Sequence, residues 1–285
     1  MRRSLVLFLC AGAYAAHPVM VHAAEAGLFE LLAADQLRLT AVGTGGYTGE
    51  SVRVDVRNTS GKPLAASIPP GWVFNSVDEQ VQDLMVVREE VFTLAPGASR
   101  TIMCRAFCTQ GNLRAPMAGE RFFAGAMAAP RLVQLARAVA RAPYDDDLVQ
   151  SAVWVLGNGY SIGGMGALDS TAADTLRHLV SRLSGQPPPR YAVHFARDGE
   201  SVCTGRPAMI VQPFTITVGS PTLLSAMVLD RQGRIVQRLE DHATIGPGMH
   251  RRRYQVAVAD WPAGQYAIHV WTTDRAGVHR LPFTL

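Results

Sequence analysis

The side chains that could do chemistry sit mostly in the middle of the chain. Cys104 and Cys108 lie four residues apart at the end of a strand-like run, and Cys203 follows far downstream. A thiol can bridge to a second thiol or, as a thiolate, attack an electrophile. All three are disulfide candidates. The simplest arrangement is a Cys104–Cys108 bridge with Cys203 buried. In one straight strand an i, i+4 pair is separated by roughly 13 Å, so a local bridge needs a bend between the two. Ser161 is the centre of Gly159-Tyr160-Ser161-Ile162-Gly163, a G-x-S-x-G pattern that can raise a serine on a sharp turn. Asp145-Asp146-Asp147 gather three carboxylates without the alternating spacing and distant glutamate of a calcium loop. They precede an apolar run, so helix capping and dipole compensation account for them. The histidines from His178 to His279 are scattered, with no H-E-x-x-H and no zinc-type spacing. No metal site and no cofactor are expected.

Composition narrows the class. A chain of 285 residues, 48% hydrophobic and 18% charged, is long enough for two modest cores. The formal charge is +4. Lys62 is the sole lysine, and Arg251-Arg252-Arg253 is the nearest approach to a basic stripe. Nucleic acid wants a stronger one, so it is not an expected partner. The start reads as an export signal: Arg2 and Arg3, the apolar run Leu5–Ala11, then small-residue cleavage sites ending at Ala15 or Ala23. Leu9 stands before Cys10 where a lipoprotein signal carries a small residue. The run is too short to span a bilayer, and no other segment is apolar for long enough to cross one. The expected location is outside the cytoplasm, periplasmic or secreted.

The elements that must position these residues follow from periodicity. Val52, Val54 and Val56 alternate with Arg53, Asp55 and Arg57, the period of a half-buried strand. Leu64–Ile68, two runs within Gln82–Leu94, and Arg100–Cys108 add strands, with Asn58–Gly61, Pro69–Gly71 and Ala95–Ser99 as turns. Gly43–Gly49 is glycine-rich, but a strand follows it rather than a helix N-terminus, so it reads as a hairpin loop and not a phosphate cradle. A helix begins at Pro130 and ends before Pro143, a second covers Leu148–Leu156, and a third starts after Ser170-Thr171 and closes at Gly185. Gln186-Pro187-Pro188-Pro189 is a stiff linker. Beyond it come strands at Tyr191–Phe195, Met209–Val218, Leu223–Leu229, Ile235–Leu239, Arg253–Val258 and Gln265–Thr272, with Asp230–Arg234 as a hairpin turn.

The expected architecture is mainly β: two immunoglobulin-like β-sandwiches with a short helical segment between them. The divisions are a signal peptide at 1–23, a sandwich at 24–115, and helices at 116–185 packed on that sandwich. A Pro-rich linker at 186–190 and a second sandwich at 191–285 complete the chain. The phrases Met227–Val236, Gly246–His250 and Pro262–Tyr266 resemble exported immunoglobulin-like modules of the flagellar hook-capping and secretion sorting-domain type. That resemblance covers about a third of the chain and bears on fold rather than function.

The middle is similar, more loosely, to the thioester domains of Gram-positive surface adhesins. These pair a cysteine after an aromatic or aliphatic residue with a glutamine in a hydrophobic-Gln-x-x-hydrophobic phrase. Phe107-Cys108 and Val149-Gln150-Ser151-Ala152-Val153 match the two halves, with Val149 where the family has threonine. The resemblance implies a Cys108–Gln150 cross-link that acylates a nucleophile on a partner. The bland alternative has Gln150 as a helix residue hydrogen-bonding across a boundary, with Trp154 as core. The Ser161 pattern, for its part, resembles the nucleophile elbow of α/β-hydrolases, with Val153–Leu156 as the preceding strand and a downstream histidine as base. Strands before and after, rather than alternating strands and helices, speak against it. The reading these residues favour is an exported, non-catalytic binding or structural protein of the bacterial envelope or surface, presenting sandwich loops to a protein or polysaccharide. A covalent thioester adhesin using Cys108 and Gln150, and a serine hydrolase using Ser161, are the alternatives. Oligomeric state is left open.

Overall fold

The computed structural model describes residues 27–165, 171–188, 190–197, 199, 202–273 and 278–285. The expected signal segment, together with Gly166, Ser170 and Pro189, lies outside the described residues. Strand outweighs helix, 45% to 18%, and the paired strands run antiparallel, so the chain is mainly β. Among the described residues no helix is long and apolar enough to cross a membrane.

A short helix α1 (Leu28–Ala33) leads into β1 (Leu37–Gly43), β2 (Val52–Asn58), β3 (Leu64–Ile68), β4 (Trp72–Ser76), β5 (Leu84–Val86), β6 (Glu90–Leu94), β7 (Ser99–Cys104), β8 (Ala106–Cys108) and β9 (Arg121–Met127). Seven of these form one sheet in the order β7-β2-β1-β9-β4-β5-β8, and β3 pairs with β6 beside it. Only two residue pairs, Ala41↔Phe122 and Val42↔Arg121, join β1 to β9. The terminal strands β7 and β8 are separated in the chain by Arg105 alone. A sheet whose two ends are one residue apart must curl until its edges nearly meet. The inward valines of β2, with Phe74, Phe92 and Leu84, fill the space it encloses.

Two expectations change here. The single strand read over Arg100–Cys108 breaks at Arg105, where the chain leaves one end of the sheet and starts the other. Cys104 pairs with Val52 and Cys108 with Leu84, and both thiols, like that of Cys203, are free. The second change is β9, which falls in the stretch read as helical and lies in the middle of the sheet. Its sequence, Arg-Phe-Phe-Ala-Gly-Ala-Met, buries only Phe122 and so carries no period of two. Gly125 is there because a Cβ would sit 2.6 Å from the Val73 carbonyl oxygen.

The helices α2 (Pro130–Val139), α3 (Asp146–Asn158) and α4 (Thr171–Ser184) follow, with a 3-10 turn at Ile162–Gly164. They share a second core with Met85, Val87 and Phe107, while Leu84, Val86, Ala106 and Cys108 face the first. Residues alternate across a strand, so β5 and β8 are buried on both faces, which is why they read as unbroken apolar runs.

The C-terminal part holds β10 (Ala192–Phe195), β11 (Pro207–Val218), β12 (Thr222–Asp230), β13 (Ile235–Ile245), β14 (Gly248–Ala257), β15 (Gln265–Thr272) and β16 (His279–Thr284). They form sheets of order β10-β11-β14 and β13-β12-β15-β16 that enclose one core, including Ile210, Leu224, Val256 and Ile268. At the β12–β13 turn, Asp230 Oδ1 accepts from the backbone N–H groups of Gln232 and Arg234 at 2.9 and 3.0 Å. Gly233 supplies a φ of 79° there. In the arginine triplet on β14, Arg251 and Arg253 are exposed while Arg252 pairs with Glu240 at 3.0 Å.

Candidate functional site

The site is built on the outer edge of β8. In an antiparallel pair, alternate residues turn their N–H and C=O groups away from the partner strand. Thr109 N–H donates to the Asp83 carbonyl and Val87 N–H to the Arg105 carbonyl, both at 3.0 Å. Those flanking bonds leave the backbone groups of Ala106 and Cys108 pointing away from β5. A buried edge must still satisfy them. The Ala106 N–H donates to Gly49 O at 2.8 Å, and its carbonyl accepts from Ser51 Oγ at 2.7 Å. The Cys108 N–H is shared between Tyr47 O at 3.2 Å and Gln150 Oε1 at 3.0 Å. Its carbonyl accepts from Gln150 Nε2 at 2.6 Å. The β1–β2 loop and one glutamine side chain thus stand in for the missing neighbour strand.

Helix α3 delivers that glutamine. Asp145 caps it, accepting from the N–H groups of Asp147 and Leu148 at 3.0 and 3.3 Å, and Gly159 ends it in the left-handed region. One stripe of the helix, at four-residue steps, runs Asp146, Gln150, Trp154, Asn158. Asp146 ion-pairs with Arg105, Gln150 holds Cys108, and Asn158 Oδ1 accepts from the Gly111 N–H at 3.1 Å. The twelve steps from Asp146 to Asn158 rise roughly 18 Å, and the six steps from Arg105 to Gly111, through β8 into the turn after it, cover at most roughly 20 Å. The matched lengths let helix and strand run side by side with contacts in step. Trp154 fills the remaining place, its indole N–H donating to Gln82 Oε1 at 3.4 Å.

The pair named by the sequence, Cys108 and Gln150, is therefore brought together across 42 positions. Both are buried to 1% exposure or less. Burial, and then the charge of Asp83, push the Cys108 thiol well above its ordinary range. The neutral thiol is the form present at physiological pH. Tyr47, whose carbonyl accepts from Cys108 N–H, lies beside this centre. Its ring stacks on Trp154 with centroids 6.4 Å apart, and its hydroxyl donates to Asp147 Oδ1 at 3.4 Å.

The remaining candidates fall elsewhere. Cys104 is buried beside Glu90 and Arg88; burial first, then Glu90, push its thiol up to about 12. Cys203 lies between β10 and β11, its N–H donating to Gly111 O at 2.8 Å and its carbonyl accepting from the Tyr160 hydroxyl at 3.0 Å. Ser161 follows a helix, since Val153–Leu156 belong to α3 rather than to a strand. Its Oγ accepts from the Gly163 N–H at 3.2 Å as the cap of the 3-10 turn. That is not the strand–turn–helix context a nucleophile elbow requires. The imidazole–carboxylate contact between His242 and Asp241 is an exposed neighbour pair on β13. Of the glycines around Ser161, Gly164 is packed, since a Cβ there would stand 2.3 Å from the Phe195 ring, whereas a Cβ on Gly159 would meet nothing within 4 Å.

Sequence reasoning missed Tyr47, Arg105 and Asn158. The polar i, i+4 stripe on an otherwise apolar helix was the available signal for two of their contacts. Tyr47 left no signal, because only the fold carries the β1–β2 loop to β8. No protein-family model matches the chain, and no curated protein matches it.

Proposed function

We propose that this is an exported binding protein of the bacterial envelope or surface, built on two immunoglobulin-like sandwiches, and that it captures its partner covalently through Cys108 and Gln150. The observation that carries this reading is the reciprocal pairing of the Gln150 carboxamide with the Cys108 backbone, both residues fully buried. An internal thioester needs its two halves adjacent and shielded. The Cys108 N–H that donates to Gln150 Oε1 would also polarise the carbonyl and stabilise charge developing on that oxygen. The Cys108 sulfur attacks the carboxamide carbon, the C–N bond breaks, and nitrogen departs as ammonia carrying the thiol proton. A nucleophile on a protein or polysaccharide partner later attacks the thioester carbonyl. The C–S bond then breaks, the partner is acylated and the thiol returns.

A second reading has a specific observation behind it. Both polar atoms of the carboxamide are already engaged by the backbone, and burial holds the thiol protonated. Gln150 is then a non-covalent clamp in a binder without chemistry. Intact mass of the purified chain separates the two. The thioester predicts a mass lower by one ammonia, restored in Cys108→Ser and in Gln150→Ala, and replaced by an adduct after methylamine. An unshifted mass with no methylamine adduct leaves the clamp.

A further inference from the structure

The geometry points to the β1–β2 loop as a gate over Cys108 and Gln150, latched by Tyr47, which a partner must displace before its nucleophile reaches the centre; this rests on the thioester reading above. Ser51 Oγ on the Ala106 carbonyl, Gly46 N–H on Pro116 O and the Glu50–Arg88 ion pair hold the loop's ends, and contacts of Tyr47 and Gly49 hold its tip shut. The Tyr47 carbonyl accepts from Cys108 N–H and the Gly49 carbonyl from Ala106 N–H. The Tyr47 ring lies on Trp154, and its hydroxyl reaches Asp147. Tyr47 is half-buried while Cys108 and Gln150 are fully buried, and in this proposal its ring is the cover between them and solvent. The hinge is in the same loop. Gly45, Gly46 and Gly49 have φ of 96°, 90° and 78°, a region that costs other residues strain. A Cβ on Gly46 would meet nothing within 4 Å, so its use is conformational rather than steric.

The loop is therefore more than a connection. A two-residue turn would join β1 to β2 with less chain, yet this loop extends over β8 and makes its contacts there. When the loop lifts, Cys108 N–H keeps a second acceptor, Gln150 Oε1, so the buried donor that opening frees is the Ala106 N–H. Tyr47 would thereby exclude water and small nucleophiles in the resting protein, acting as a residue that sets access rather than as a catalytic one.

The test compares the full chain with Tyr47→Ala, using three readouts. Backbone hydrogen exchange at Ala106 reports the gate, because the loop supplies its acceptor, whereas Cys108 N–H keeps Gln150 Oε1 when the loop lifts. Alkylation of Cys108 by iodoacetamide in a Gln150→Ala background reports access to a free thiol. Methylamine uptake by the otherwise unaltered chain reports access to the thioester. The gate predicts all three rising about tenfold or more in Tyr47→Ala, as local opening becomes easier. Unchanged exchange and alkylation overturn the gate, whatever the mass shows. A wild-type mass without ammonia loss overturns the thioester reading, and the gate is then judged by exchange and alkylation alone. Should Tyr47→Ala not fold, Asp147→Asn weakens the latch from the exposed end of α3. It carries the same test, with unchanged rates again the overturning result.

Discussion

Gln150 and Cys104 show how one buried polar side chain can be organised and another merely enclosed. Gln150 spends its donor and its acceptor on one backbone residue, the full capacity such a pairing allows. Cys104 has no comparable partner, and burial raises its thiol from 9.0 to about 12. The sign of the pH effect follows. The folded thiol holds its proton where the unfolded one releases it, so its contribution is intact below pH 9 and is lost between 9 and about 12. Urea midpoints should therefore fall from pH 8 to pH 10.5, and fall less in Cys104→Ala. An equal fall in both proteins would remove Cys104 as the cause.

At the scale of the element, β8 is a three-residue strand that survives as an edge because α3 and the β1–β2 loop cover it. Exposed strand edges invite unwanted pairing, and here the cover is part of the candidate site. Gln150→Leu keeps the volume but leaves the Cys108 carbonyl buried without a donor. We expect a loss of about 1–3 kcal/mol in chemical denaturation, together with faster hydrogen exchange at Cys108. A variant as stable as the parent would mean that the edge finds another partner. The i, i+4 register of Asp146, Gln150, Trp154 and Asn158 is what a helix must offer to a strand running beside it. Its polar character along that stripe was legible once α3 was recognised. Which strand it would meet was not.

Across the whole molecule, the joint between the N-terminal and C-terminal parts is tighter than a proline linker suggests. Gln186 donates to Tyr160 O and accepts from Ile162 N–H at 3.0 and 3.2 Å. Tyr160 packs on Phe195 with centroids 5.6 Å apart, and Gly111 and Gly205 make room for the tyrosine ring. A Cβ on Gly205 would fall 2.3 Å from that ring, at a φ of 72°. Gly205→Ala should thus cost about 1–3 kcal/mol through overpacking and strain, read as a lower denaturation midpoint. An unchanged midpoint would mean that Tyr160 does not occupy this seat in solution. The same joint connects to α3 through Asn158 and Gly111, so it touches the end of the stripe that carries Gln150.

Strand and helix character was largely readable from the chain alone, because alternating valines in β2 and the spaced leucines of α2 and α4 impose their periods locally. Capping by Asp145 and the turn at Asp230 were likewise local chemistry. The short phrases at Cys108 and Gln150 named two residues without placing them. Only the tertiary structure decided that the strand breaks at Arg105 and that Gly-Ala-rich β9 inserts into the sheet. It also decided that Tyr47 bonds the Cys108 backbone and stacks on Trp154. Each of these depends on contacts between segments far apart in sequence, where burial on both faces or pairing with a distant edge outweighs what the local residues prefer.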